Sequence, residues 1–232
     1  MILAIETATP HASVALLRGE TVVGEVVLSG ARQVSETLLP AVLSLTGGRP
    51  AARVAVSAGP GSFTGLRVGM AAAKGFCFGW AVPLVPVPTL HALAMRFPLE
   101  GKTICPVLDA KKKEVYAGLF RWEGGECVRL CPDMAIAPEA LPGRLPAGDV
   151  LFCGDGAAPF GPLLRERLGG RAFFPAPGDE FPRASSVGRL AALLARAGAE
   201  TACRTAVPAY IRASEAEMKR SAPRRSGASI DN

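Results

Sequence analysis

The chain has 232 residues, of which 49% are hydrophobic and 20% charged, and its formal net charge is +6. This length and composition predict a soluble globular protein, with one large domain or two small ones sharing a cleft. The most apolar window, residues 68–82, is only about fifteen residues long and contains Lys74, which excludes a membrane-spanning helix.

The first third of the chain predicts the element order βββαβα. Residues 1–5 lack a basic segment and read directly as a strand, so no signal peptide is expected and the predicted location is the cytoplasm. Apolar runs and turn residues predict strands at residues 2–6, 12–17, 22–28 and 53–57, and helices at 35–46 and 63–80. Ser62 stands at the N-cap position of the second helix.

The same order then repeats, which indicates an internal duplication. After a strand at 84–87 and a short helix at 89–94, the pattern predicts strands at 103–108, 115–122, 127–136 and 150–153, and helices at 138–141, 157–168 and 185–197. The region 169–183 reads as a loop. The predicted division is an N-terminal subdomain at 1–98, a C-terminal subdomain at 99–215 and a disordered basic tail at 216–232.

The helices near residues 35–46 and 63–80 carry more apolar residues than one buried stripe requires. Gly65, Gly69 and Ala73 recur at four-residue spacing, which leaves a smooth track for another helix. Such helices are either buried within their own domain or covered on one side by a second protein, and the second interpretation is favoured. The predicted interface residues are Leu38, Leu39, Val42, Leu45, Gly65, Leu66, Gly69, Met70, Ala73 and Phe76.

The sequence offers little for hydrolytic or metal chemistry. Its two histidines, His11 and His91, cannot form an H-E-x-x-H helix, and Ser62 does not fit a G-x-S-x-G nucleophile turn. The six cysteines are scattered in apolar strands, and the pair Cys127 and Cys131 has no second pair or nearby histidine. No catalytic residue, disulfide framework or metal site is therefore predicted.

A duplicated βββαβα arrangement resembles the actin, sugar-kinase and Hsp70 superfamily (ASKHA, RNase H-like), whose halves clamp ATP between hairpins rich in glycine and acidic residues. Here the first hairpin, at Glu6, has no glycine, and the second, at residues 109–114, is rich in lysine. The run Gly154, Asp155 and Gly156 is either a weak nucleotide contact or a turn that joins a strand to a helix, and the turn is favoured. No tightly bound cofactor is expected, and weak ATP or ADP binding would involve Glu6 and this run.

Five segments, spread over nearly the whole chain to about residue 215, resemble the bacterial TsaB (YeaZ) family. They are residues 2–7 (ILAIET), 33–40 (QVSETLLP), 59–69 (GPGSFTGLRVG), 108–117 (LDAKKKEVYA) and 208–212 (PAYIR). The resemblance implies a non-catalytic subunit of the machinery that installs threonylcarbamoyladenosine beside the anticodon of tRNA. It also implies two partners, the catalytic relative TsaD, which shares the fold, and the ATPase subunit TsaE, with tRNA reached through the complex.

Two departures from the family bear on the predicted interface. The family usually has histidine where this chain has Val34, which alters a polar contact at the start of the helix. The segment 47–50 is shorter than usual, which trims the end of the same helix.

Other functions remain open at this point. An actin-like small-molecule kinase or ATPase would be favoured by glycine in the first hairpin, and a peptidase by a histidine motif; the chain has neither. Without its partner the chain is expected to pair with itself as a two-fold dimer, because an uncovered apolar surface is an association site. The basic segment 219–225 is either a solvated end or a weak contact for tRNA phosphates.

Overall fold

The computed structural model describes residues 1–28 and 34–211, and the predicted basic tail lies outside them. The first half contains five strands and three helices. These are β1 (Ile2–Glu6), β2 (Ala12–Arg18), β3 (Thr21–Leu28), α1 (Val34–Thr46), β4 (Arg53–Gly59), α2 (Phe63–Trp80), β5 (Leu84–Pro88) and α3 (Thr89–Ala94). The predicted order of these elements is confirmed.

Up to residue 211, the second half contains seven strands and two α-helices, with short 3-10 helices at Pro138–Arg144 and Gly169–Arg171. The strands are β6 (Thr103–Lys111), β7 (Glu114–Ala117), β8 (Phe120–Glu123), β9 (Glu126–Arg129), β10 (Met134–Ile136), β11 (Val150–Cys153) and β12 (Ala172–Phe173). The helices are α4 (Ala157–Leu168) and α5 (Ala184–Arg196).

The two sheets have equivalent strand orders, so the predicted duplication is confirmed. The first sheet runs β3-β2-β1-β4-β5 and the second β10-β7-β6-β11-β12. In each, the central strand pairs antiparallel with the next strand of the chain and parallel with the strand after the crossover. The additional pair β8 and β9 joins the second sheet through β6.

The predicted strands 115–122 and 127–136 are each broken into two shorter strands, so the prediction of two continuous strands is wrong. β7 pairs with one end of β6, at Val107 to Lys111, and β8 with the other end, at Thr103 and Ile104. Pro106 lies between these two ends. It has no N–H to donate, although its carbonyl oxygen accepts a hydrogen bond from the Gly118 amide at 3.3 Å. The ladder is therefore interrupted opposite Pro106.

The first sheet is covered on both faces. Alternate residues such as Leu3 and Val56 pack with α1 and α2 in one apolar cluster, and their neighbours, such as Ala4 and Ala55, pack with α5 in another. Since α1 and α2 lie on the same face of the sheet, their sides away from the sheet point the same way.

Helix α5 lies on the first sheet although it belongs to the second half of the sequence. It contacts β1, β2, β4 and β5, and Gly188 allows its close approach, because a Cβ there would clash with the side chain of Leu17. This placement corrects the predicted extent of the C-terminal subdomain, 99–215, since the last helix covers the N-terminal sheet. Within the described ranges, no helix is both long and apolar enough to cross a membrane.

Candidate functional site

The turn between β4 and α2 is built on glycine and a serine cap. Gly59 has φ +117°, and a Cβ there would clash with the carbonyl oxygen of Ala209. Ser62 Oγ accepts a hydrogen bond from the Gly65 amide at 3.3 Å, so the predicted N-cap is confirmed. The turn thus fixes where α2 begins and which of its sides faces the sheet.

The small residues of α2 face the chain's own β1–β2 turn. A Cβ at Gly65 would clash with the carbonyl oxygen of Thr7, and one at Gly69 with Thr7 Oγ1. The Thr7 hydroxyl donates to the Gly65 carbonyl at 2.9 Å, and Ala73 is fully buried. The expectation that this track lies open to another helix is therefore wrong: the glycines permit close packing of α2 on its own sheet.

Six of the ten predicted interface residues are buried in the core beneath α1 and α2. They are Leu38, Val42, Leu66, Gly69, Met70 and Ala73. Gly65, Leu45 and Phe76 are half-buried, and Leu39 is exposed. These six are buried because the most apolar arc of each helix is the one that the sheet covers, whereas the contact of these helices with a second protein stays a prediction.

A different set of residues forms the surface of these two helices. Leu39 and Leu43 on α1 are 51% and 48% exposed, and Phe63 and Phe78 on α2 are 38% and 76% exposed. Arg67, which is exposed, and Lys74, which is half-buried, complete the set. We call these six residues the outer face. Exposed apolar side chains grouped on one side of a protein are typical of an interaction surface.

The predicted interface did not include Leu43, Phe63 or Phe78, although the sequence contains a signal for the two phenylalanines. At 100° per residue, Phe63 and Phe78 fall within about 60° of Arg67 and Lys74, the only charged residues of α2. Since charged side chains mark the solvent side of a helix, the two phenylalanines that share their arc are on that side as well.

The start of the outer face is tied to the C-terminal segment 207–211. The Arg67 guanidinium lies 3.8 Å from the centre of the Phe63 ring, and its Nε donates to the Tyr210 hydroxyl at 3.3 Å. The Ala209 amide donates to the Ala58 carbonyl at 2.6 Å. These contacts hold Arg67 in place over the first turns of α2.

The second place of interest is the acidic site, which Glu6, Asp109 and Asp155 form where the end of β1 approaches the second half. Glu6, at the end of β1, is fully buried, and its Oε1 accepts from the Ala8 amide at 2.5 Å. Its Oε2 has no hydrogen-bond partner in the described part of the chain. Burial raises the pKa of Glu6 to about 7, which the charge of Asp155 reinforces and hydrogen bonds from Ala8 and Ser57 oppose.

Gly154 and Gly156 pack against β6. A Cβ at Gly154 would clash with the carbonyl oxygen of Val107, to which the Gly156 amide donates at 3.0 Å. The Gly154 amide donates to the Glu180 carbonyl at 2.7 Å. These contacts favour the turn interpretation, because both amides already donate hydrogen bonds within the chain.

The other two carboxylates of the acidic site accept hydrogen bonds within the second half. Asp155 Oδ1 accepts from the Asp109 amide at 3.0 Å, and the Asp109 carboxylate accepts from Lys111 Nζ at 2.6 Å. Burial raises the pKa of Asp155; at Asp109 it acts in the same direction, but the hydrogen bonds and charge of Lys111 outweigh it and lower the pKa. In 1–28 and 34–211, no three His, Cys, Asp or Glu side chains are grouped so that they could hold a metal ion.

The chain is similar to proteins of one pathway. A family model described as TsaD: tRNA N6-adenosine threonylcarbamoyltransferase matches residues 29–220. The tRNA threonylcarbamoyladenosine biosynthesis protein TsaB of Bacillus subtilis is 30% identical, over 94% of this chain and 96% of that protein.

Two solved structures have a similar fold. YeaZ from Pseudomonas aeruginosa has a TM-score of 0.77 and 27% identity, over 90% of this chain and 99% of that one. The activator of the 2-hydroxyisocaproyl-CoA dehydratase from Clostridium difficile, with bound ADPNP, has a TM-score of 0.51 and 11% identity, over 85% and 96%. This second likeness shows the fold alone, which is actin-like. With the matches to TsaB and YeaZ over most of its length, the chain belongs to the TsaB (YeaZ) family of tRNA threonylcarbamoyladenosine biosynthesis.

Proposed function

We propose that this chain is a non-catalytic scaffold subunit of the complex that installs threonylcarbamoyladenosine next to the anticodon of tRNA. In this proposal it binds the catalytic subunit TsaD through the outer face and holds that subunit in an active conformation. The observation that carries the proposal is the exposure of Leu39, Leu43 and Phe78 on two neighbouring helices of one sheet face. The match of the chain to a TsaD family model supports it, since two subunits of related fold have matching helices to pair.

The non-catalytic role is supported by the chemistry of the acidic site and its neighbouring turns. The first hairpin, at Glu6, has no glycine that would let the backbone approach a phosphate closely. The amides of Gly154 and Gly156 are already bonded within the chain. We therefore propose at most weak ATP or ADP binding here.

The other partners belong to the same proposal. TsaE joins the assembly, tRNA binds to the complex, and the free chain pairs with itself to cover the outer face. The site of action is the cytoplasm, where tRNA is modified.

A reconstituted modification assay tests the proposal. Purified catalytic subunit, TsaE, tRNA and the small-molecule substrates are combined with and without this chain, and threonylcarbamoyladenosine is measured in the tRNA. The proposal expects modification only when the chain is present, together with a stable complex by size-exclusion chromatography. Full modification without the chain would contradict the proposal.

The alternative function, a small-molecule kinase or ATPase, is tested separately. The purified chain alone is expected to have no ATPase, kinase or peptidase activity. Turnover by the pure chain that disappears in Glu6→Ala would support the alternative, because Glu6 is the fully buried carboxylate of the acidic site.

A further inference from the structure

The exposed stripe of α2 has a nearly symmetric order of side chains. The centre of symmetry lies between Met70 and Ala71: Phe63 corresponds to Phe78 across it, and Arg67 corresponds to Lys74. Read from either end, the stripe is aromatic, basic, small, basic and aromatic. A two-fold axis through this point would place Arg67 of one copy opposite Lys74 of the other, twice.

The charges of the outer face are unbalanced. Helix α2 contains no Asp or Glu, and Arg67 and Lys74 are its only charged residues. The only charged residue of α1 is Glu36, in its first turn. In the portion of the chain that the structure describes, no carboxylate forms an ion pair with Arg67 or Lys74. Two copies placed face to face would therefore bring together four cations and two carboxylates.

We propose that the outer face recognises an apolar helical surface with carboxylates opposite Arg67 and Lys74, and that this charge pattern makes pairing with a second copy the weaker association. The inference rests on the proposed function, because it describes what the catalytic partner must present to this face. The apolar side chains Leu39, Leu43, Phe63 and Phe78 drive either association, and the two cations decide between them.

The size of the effect follows from the exposure of these charges. Arg67 is exposed and Lys74 half-buried, so each ion pair with a partner contributes up to about fivefold in affinity. Each like-charge contact in the self-pair weakens self-association by a similar factor. Each position therefore changes the preference for the acidic partner by up to about 25-fold, and the two together by up to about 600-fold, because the two associations shift in opposite directions.

Salt provides the first test. Raising the ionic strength from about 0.1 M to about 1 M shortens the Debye length from about 10 Å to about 3 Å and screens exposed charges. Binding to the purified catalytic subunit, measured by titration calorimetry, should weaken, while self-association, measured by sedimentation, should tighten. The double variant Arg67→Gln/Lys74→Gln reports the salt effect that does not depend on these two charges. The salt effect seen in the double variant is subtracted from that of the wild type. If salt then changes both affinities in the same direction, the proposal is wrong.

A charge reversal provides the second test. In Lys74→Glu the self-pair gains two attractive contacts with Arg67, so self-association should tighten about fivefold or more, while binding to the catalytic subunit should weaken by a similar factor. Lys74→Gln is the matched control and should give smaller changes in the same directions. Circular dichroism and thermal unfolding show that each variant is folded. If Lys74→Glu weakens both associations, or changes neither, the proposal is wrong.

A mixing experiment separates this proposal from the proposed function. The wild-type chain should pair with the variant Arg67→Glu/Lys74→Glu more tightly than either chain pairs with itself, since the variant presents carboxylates to the two cations. This result requires no catalytic subunit, so the charge account is judged even if that subunit does not bind. Equal affinity of all three pairs would overturn the proposal, whereas failure of the catalytic subunit to bind the wild-type chain would overturn the proposed function.

Discussion

The inner and outer sides of α2 both carry glycines at four-residue spacing, but their surroundings differ. On the inner side, a Cβ at Gly65 or Gly69 would clash with Thr7. On the outer side, nothing lies within 4 Å of a Cβ at Gly75 or Gly79. A repeat of small residues therefore shows that another element can approach the helix closely, but it does not show which element that is. Here the closely packed side belongs to the fold and the open side is available to a partner.

Exchange of one glycine on each side of α2 is expected to have the largest effect on stability. Gly65→Ala should lower the free energy of unfolding by about 3 kcal/mol or more, because the added methyl group meets a backbone carbonyl that cannot move aside. Gly75→Ala is the matched control and should raise stability by about 0.5–1 kcal/mol, since alanine favours the helix and meets no atom. Urea unfolding measures both; equal effects would mean that the two sides of α2 are not distinguished by packing.

The buried Glu6, which precedes Thr7 on the inner side of α2, makes the stability of the protein depend on pH. Its pKa is raised from 4.5 to about 7 by burial, so the folded state binds a proton that the unfolded state has already released in this range. Stability from this group is therefore highest below pH 4.5 and falls as the pH rises to about 7, by about 3 kcal/mol in all.

Glu6→Gln should remove this fall, because the amide stays neutral while its oxygen still accepts from Ala8. Thermal unfolding at pH 5 and pH 8 should show the variant more stable than wild type at pH 8 and similar to it at pH 5. A variant that is less stable at both pH values would contradict a protonated, buried Glu6.

Removal of the C-terminal tail is expected to have a smaller effect, on tRNA binding by the assembled complex. The chain leaves the described structure after Ile211, beside the start of α2, and its basic segment 219–225 follows. A chain that ends at Glu217 should fold and bind the catalytic subunit as the whole chain does. The assembled complex should bind tRNA with a shallower salt dependence, by a little under one unit of log-log slope for each lost phosphate contact. An unchanged slope would show that the tail has no part in tRNA binding.

Much of the fold could be predicted from the sequence because its signals are local. Apolar runs located β1, β4, β6 and β11, and the Ser62 cap located the start of α2. The two-residue strand β12 was missed because it is too short to show any periodicity. The break between β7 and β8 was missed because its cause, Pro106, lies on the neighbouring strand.

The surface of α2 was harder to predict because it depends on distant contacts. Gly65 faces inward on account of Thr7, which is 58 positions away in the chain. The position of α5 has the same difficulty, since an amphipathic pattern predicts a buried side but does not say which sheet covers it. The arc shared by Arg67, Lys74 and Phe78 is the local signal in the sequence that marks the exposed side of α2.

The most direct test of the central claim is the affinity of the catalytic subunit for variants of the outer face, measured by titration calorimetry. Leu43→Asp and Phe78→Asp should each weaken binding by about 2 kcal/mol, roughly thirtyfold, with thermal stability unchanged. Leu193→Asp is the matched control, because Leu193 is 39% exposed on α5, on the opposite face of the sheet, and this variant should bind as wild type does. If Leu43→Asp and Phe78→Asp bind like wild type, or if Leu193→Asp loses binding instead, the outer face is not the docking surface.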